Sequence, residues 1–185
     1  RLVKHAFSDT ELRAAHRLSS ANSINIARLL PQTFYYAYAA GQRRQKEGEL
    51  IVSVPCGNFG NLTAGLLAKR LGISIKHFVA ATNSNDVFPK YLSEGIYKSR
   101  SSDQTLSNAM DVGDPSNLVR IQYIFDNDLQ NMRREISSWS FSDQQTLEMI
   151  AKTFADNKYI IDPHTAVGLL GLREYQQSNV SKTHG

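Results

Sequence analysis

The feature that most constrains the fold is a short β-branched run followed at once by a glycine-rich turn and a helix. Glu49-Leu-Ile-Val-Ser-Val-Pro55 has the length and composition of a buried strand. Gly57-Asn-Phe-Gly-Asn61 follows it, then a helical stretch from Leu62 to Leu71 that Gly72 ends. Ile73 to Thr82 is a second apolar run. The four segments make a β-loop-α-β unit of the length expected for a right-handed parallel crossover.

Downstream segments extend the same alternation. Residues 83 to 117 are rich in Asn, Ser, Asp, Gly and Pro and read as ordered loop with short helical turns. Leu118 to Phe125 reads as a helix. Ser142 or Asp143 caps another through about Ala155. Lys158 to Asp162 reads as a strand and Thr165 to Gln177 as a helix after it. Upstream, residues 9 to 21 read as a short polar helix. Ser23 or Asn25 caps a longer one through about Ala40, with Ile26, Leu29, Leu30, Phe34 and Tyr38 as its apolar positions and Gly41 as its stop. Pro31 falls inside that pattern and kinks the helix or resets its start. The fold class expected is α/β, an open, mainly parallel sheet flanked by helices, with residues 1–185 as one domain.

Open α/β sheets bind ligands beyond the carboxyl ends of their strands, which is where Gly57, Asn58, Phe59, Gly60 and Asn61 fall. The first amides of the following helix have no intrahelical acceptor and lie at the positive end of its dipole. Two glycines let the backbone approach a ligand closely, and Asn58 and Asn61 add neutral donors. This is an anion cradle suited to a phosphate group. It lacks the Gly-Lys-Ser/Thr ending of a P-loop and the spacing of the dinucleotide fingerprint. A tight strand-to-helix turn that needs glycine for geometry alone is the competing explanation.

Three other groups each allow two explanations. Cys56 precedes the loop as a nucleophile near a helix start or, more simply, as a small apolar residue ending a strand. Asp162-Pro163-His164 pairs a carboxylate with an imidazole for acid–base work, or places Asp162 as a helix cap with Pro163 at the first helical position. Ser23, Asn25 and Arg28 converge on an oxyanion, or serve as helix caps beside a surface arginine. The histidines show no metal-ligand spacing, so no metal site is expected.

Composition sets bounds. Hydrophobic residues make up 41% and charged residues 21% of the 185, as in an ordinary globular protein. No apolar run reaches the ~20 residues that span a bilayer. A single cysteine leaves no internal disulfide and fits a reducing, cytoplasmic setting. The net charge is +4, but the basic residues are scattered, with Arg43, Arg44 and Lys46 as the densest group, so nucleic-acid binding is not expected.

Taken in order, five segments resemble threonine synthase of the bacterial and fungal type. They are Asn22 to Gln32, Val54 to Lys69, Ala80 to Asp86, Thr105 to Gly113 with Pro115-Ser-Asn117, and Asp162 to Gly168. The resemblance implies a pyridoxal 5′-phosphate enzyme of the tryptophan-synthase-β-like fold (fold type II). It implies conversion of O-phospho-L-homoserine and water to L-threonine and phosphate. It places the cofactor phosphate on Gly57, Asn58, Phe59, Gly60 and Asn61, and the substrate phosphate partly on Ser23, Asn25 and Arg28. Cys56 replaces the serine or threonine usual in the family.

The family's Schiff-base lysine lies in a Ser-Phe-Lys-Asp stretch, and no Phe-Lys-Asp occurs here. Its hydroxyl partner for the pyridine nitrogen lies in a Thr-Ala-His-Pro-like stretch, also missing. No catalytic residue is therefore assigned. The expectation is a central to C-terminal part of the parent enzyme, inactive alone, with apolar surface that favours homo-oligomers. Two alternatives stay open: another pyridoxal-phosphate enzyme of the same fold, and a non-catalytic phosphate- or metabolite-binding module that kept the loop.

Overall fold

A computed structural model describes residues 2–19, 25–43 and 48–183. Its elements run α1 (Leu2–Ser8), α2 (Thr10–Ala15), α3 (Ile26–Leu29), α4 (Thr33–Gln42), β1 (Ile51–Pro55), α5 (Gly60–Arg70), β2 (His77–Thr82), α6 (Val87–Glu94), α7 (Leu118–Ile124), α8 (Leu129–Glu135), β3 (Ile136–Ser140), α9 (Asp143–Asn157) and α10 (Pro163–Thr183). Short 3-10 turns occupy Leu30–Gln32 and Asn108–Met110.

The sheet is parallel throughout, in the order β1-β2-β3. Val54 pairs with Ala80, and Ala80 with Ser138. Every residue of the central strand β2 is buried, as expected of a parallel strand covered on both faces. Phe78 and Ala80 face one layer, a core with Leu62, Leu66, Phe88, Ile121 and Met132. Val79 and Ala81 face α10 on the other side. That helix lies so close to the sheet that a Cβ on Gly171 would fall 2.7 Å from the Cβ of Ala81. Only glycine fits there.

The chain before β1 follows its capping chemistry. Asn25 accepts from the Ala27 amide at 3.0 Å and starts α3. Pro31 lies in the 3-10 turn, where its missing N–H costs little, and α4 starts afresh at Thr33. The helix runs one residue past Gly41. Of the apolar positions expected in this stretch only Leu29 is buried; Ile26, Leu30, Phe34 and Tyr38 are exposed. The polar helix expected at residues 9 to 21 is the shorter α2, capped by Asp9; residues 20 and 21 lie outside the described part.

Two expectations need correction. Lys158 to Asp162 is not a strand. Lys158 ends α9 in the left-handed conformation, Tyr159 and Ile160 are exposed, and only Ile161 packs, against Met149 and Ala166. The segment pairs with none of the described strands, and its one buried residue packs between helices instead. The third strand is instead Ile136–Ser140, whose three serines hid it. Ser138 Oγ donates to Ala80 O at 2.6 Å and Ser137 Oγ lies 2.8 Å from His77 Nε2, so those hydroxyls find partners on the neighbouring strand. The region read mainly as loop also holds α6, whose apolar face (Val87, Phe88, Tyr91, Leu92) is buried.

Candidate anion-binding site

At the carboxyl end of β1 the chain turns sharply into α5. Phe59 takes φ 60°, ψ 14°, a left-handed conformation that costs a non-glycine residue about 1 kcal/mol or more. Its ring offsets that cost by burial against Phe88, centroid to centroid 4.6 Å. Because Phe59 occupies the cap position, no cap side chain accepts from the first turn of α5. The amides of Gly60, Asn61 and Leu62 therefore begin the helix without an intrahelical acceptor.

These residues line a cavity of about 290 Å³. Its other walls are Gln32, Pro55, Cys56, the Ala109–Met110 turn and His164. Gly57 is where the loop meets that turn: a Cβ there would lie 2.6 Å from the Cα of Met110. Among the described residues no carboxylate, lysine or arginine lines the cavity. The donors its described walls offer an anion are helix-start amides with the dipole behind them.

The two asparagines of the loop have structural partners. Asn58 Oδ1 accepts from the amide and hydroxyl of Ser116 at 2.7 and 2.9 Å, and Asn117 Nδ2 donates to Asn58 O at 2.8 Å. Asn117 Oδ1 in turn accepts from Arg120 at 2.5 Å. Asn61 Nδ2 donates to Gln32 Oε1 at 3.1 Å, while its Oδ1 and its carbonyl accept from Tyr36 Oη at 2.6 and 2.9 Å. The carboxamides thus hold the loop's shape, and the amides at the start of α5 receive no side-chain cap.

A dense polar cluster shapes the opposite wall. Asp111 Oδ1 accepts from Asn83 Nδ2 (2.9 Å) and Thr105 Oγ1 (2.7 Å), and its Oδ2 from the Thr105 amide (3.1 Å). Asn83 and Asn85 are buried and bonded to each other and to the Asp103–Ser107 segment. This network, at the carboxyl end of β2, carries the Asn108–Met110 turn to Gly57.

The other sequence-derived candidates separate. Ser23 lies outside the described residues. Asn25 is the cap of α3, and Arg28 is exposed on that helix and does not line the cavity. One turn further on, Gln32 does line it; its Nε2 donates to Arg28 O at 3.2 Å. Its i+4 spacing from Arg28 was the available signal. Cys56 is buried with its Sγ donating to Val54 O, and burial pushes its thiol far above the ordinary range. That environment favours an inert strand-end residue over a nucleophile.

Asp162 caps α10, as the cap explanation expects. Its Oδ1 accepts from the amides of His164 (2.8 Å) and Thr165 (3.3 Å), and its Oδ2 from Thr165 Oγ1 (2.5 Å). The Thr165 hydroxyl above all, with the His164 ring and both amides, holds its carboxyl down at about 2 against the opposing effect of burial. Oδ1 also lies 2.9 Å from His164 Nδ1. Among the described residues no group of three or more His, Cys, Asp or Glu side chains is placed to hold a metal, and no helix is long and apolar enough to cross a membrane.

With this geometry in hand, comparison with known proteins is informative. No family model matches the chain. It is 45% identical over 177 residues to the threonine synthase of Serratia marcescens, covering 95% of this chain and 41% of that protein. It superposes on the crystal structure of threonine synthase from Escherichia coli with a TM-score of 0.85 and 44% identity, over 94% of this chain and 40% of that one. A PLP-bound threonine synthase from Brucella melitensis gives the same TM-score at 34% identity, over 94% of this chain and 42% of that one. The chain thus spans about two fifths of the length of the relatives it matches.

Proposed function

Because the chain belongs to the threonine synthase family and has its fold type II architecture, we propose that the Gly57–Asn61 loop holds the phosphate of pyridoxal 5′-phosphate. The observation that carries this is the uncapped start of α5 opening into a cavity that, among the described residues, no carboxylate, lysine or arginine lines. A compact dianion satisfies several orphan amides at once and is favoured by the helix dipole. The volume, about 290 Å³, stands at the low end of the ~300–1,000 Å³ typical of ligand sites. It suits the phosphate end of the cofactor and leaves the ring to be enclosed by other walls.

When bound, pyridoxal phosphate acts as an electron sink for the substrate's Cα electrons. The residues present supply binding and orientation. Gly57 lets the loop lie against Met110. Asn58, gripped by Ser116 and Asn117, fixes the turn. Asn61 ties the first turn of α5 to Gln32 and Tyr36. The same tie anchors the segment bearing Asn25 and Arg28, which supports placing the phosphate of O-phospho-L-homoserine beside that of the cofactor, on Ser23, Asn25 and Arg28. The parent protein then forms L-threonine and phosphate by elimination and addition of water.

Among the described residues no lysine lines the cavity, and the 185 residues contain no Ser-Phe-Lys-Asp stretch. On its own the chain is expected to bind pyridoxal phosphate weakly and to release no phosphate from O-phosphohomoserine. Titration of the 185-residue chain with pyridoxal phosphate and with inorganic phosphate tests the site. Saturable binding of both, competing with each other, is expected; no saturable binding of either would sink the proposal. Steady phosphate release above a no-enzyme control would overturn the inactivity. Binding without any route to catalysis in the complete gene product would favour the non-catalytic module.

A further inference from the structure

Outside the loop, one side chain in the cavity wall, His164, joins the start of α10 to the Asn108–Met110 turn. The Ala109 amide donates to His164 Nε2 at 3.3 Å. A backbone N–H can only donate, so Nε2 is the acceptor and the ring's hydrogen sits on Nδ1. Nδ1 then donates to Asp162 Oδ1 at 2.9 Å, and that carboxylate is itself held by the first amides of α10 and by Thr165. The chain of contacts runs from a helix start, through an oriented imidazole, to the Asn108–Met110 turn. That turn is the wall against which Gly57 packs. An imidazole whose second nitrogen is fixed by a carboxylate is a rigid acceptor, since tautomer and ring orientation are both set.

We propose that His164 is a positioning residue of the anion cavity, holding the Asn108–Met110 turn against the Gly57 loop and so setting the cavity's width. This rests on the loop's assignment as a phosphate site, though the contact itself does not. His164 is half-exposed in the first turn of α10 and outside the buried core. Replacement should loosen the wall and leave the domain folded.

The test uses the 185-residue protein with His164→Ala and His164→Gln; the glutamine amide oxygen can accept from Ala109 in place of Nε2. Two quantities are read: hydrogen exchange at the Met110 and Asp111 amides, which close the turn, and the dissociation constant for inorganic phosphate. His164→Ala is expected to speed exchange and weaken phosphate binding about fivefold each, the worth of one net hydrogen bond. His164→Gln should recover most of both, which a mere change in helix stability would not produce. If His164→Ala leaves exchange unchanged, the brace does not exist. If exchange rises but phosphate affinity holds, His164 does not set the cavity. Should the unmodified protein bind no phosphate, the loop's assignment fails instead, and exchange with its glutamine rescue alone decides whether His164 holds the turn.

Discussion

α5 and α10 both begin at the edge of one cavity, and their first turns are satisfied in opposite ways. The amides that open α10 already have Asp162 as acceptor, which also takes the Thr165 hydroxyl and the His164 ring. α5 opens behind Phe59, whose side chain is spent on packing, so its first turn has no cap. A capped start is complete within the protein and can do no more than place a side chain. An uncapped start at a cavity has donors to give. Around it Asn58, Asn61, Tyr36 and Ser116 bond to one another and to Gln32 and hold the backbone in shape.

The comparison breaks most directly at Gly57. Valine there would drive its Cβ into the Met110 backbone, 2.6 Å from Cα, where no flexible side chain can yield. Loop and turn must separate, at roughly 1–3 kcal/mol, the usual cost of overpacking. Gly57→Val is expected to weaken phosphate binding by about tenfold or more, since the amides of α5 would no longer face a formed wall. Calorimetric titration of the folded variant measures it, and unchanged affinity would mean that the uncapped start is not the donor set.

Tyr36→Phe sharpens the contrast from the side of shape. Its hydroxyl bridges the carbonyl and carboxamide of Asn61, and burial, with Cys56 nearby, pushes its ionisation well above the usual phenol range, so it remains a donor. Removing it leaves two acceptors at the first turn of α5 without that donor. A loss of about 1–2 kcal/mol in urea unfolding is expected, with a smaller loss of phosphate affinity than at Gly57. A larger effect on affinity than on stability would place Tyr36 at the ligand itself.

How much of this was legible in the sequence depends on whether local signals decided the outcome. The β1–α5–β2 unit was, because β-branched runs, paired glycines and the Gly72 stop agree. So was α9, whose Ser142–Gln145 capping box is local chemistry. β3 was not: Ile-Ser-Ser-Trp-Ser carries little apolar signal, and it is a strand because β2 offers it an edge. Tyr159 and Ile160 show the converse, a strand-like run that pairs with no described strand. At the site, the loop was identifiable but the use of its asparagines was not, since the partners Ser116 and Gln32 lie 58 and 29 residues away. His164 and the Ala109 amide, 55 residues apart, meet only in the folded chain.

The smallest effect belongs to the capped start. Asp162→Ala removes the acceptor for two amides of α10 and is expected to cost about 1 kcal/mol, the usual worth of such a cap. Its pH dependence has a definite sign. Hydrogen bonds from Thr165, chiefly the hydroxyl, lower the folded-state ionisation from 3.8 to about 2. A group depressed on folding contributes stability that is fully present above its unfolded value and is lost as pH falls through its folded one. Asp162 should therefore contribute its share down to about pH 4 and lose it progressively toward pH 2. Its carboxylate is more than half exposed, so solvent screens the effect and the step is small. Asp162→Asn keeps an oxygen that can cap the helix but cannot titrate. The difference in unfolding free energy between the original protein and Asp162→Asn should be flat above pH 4 and shrink below it. A difference that grows as the pH falls would mean that Asp162 is not held as a carboxylate by α10, and the contrast between the two helix starts would then lose its capped member.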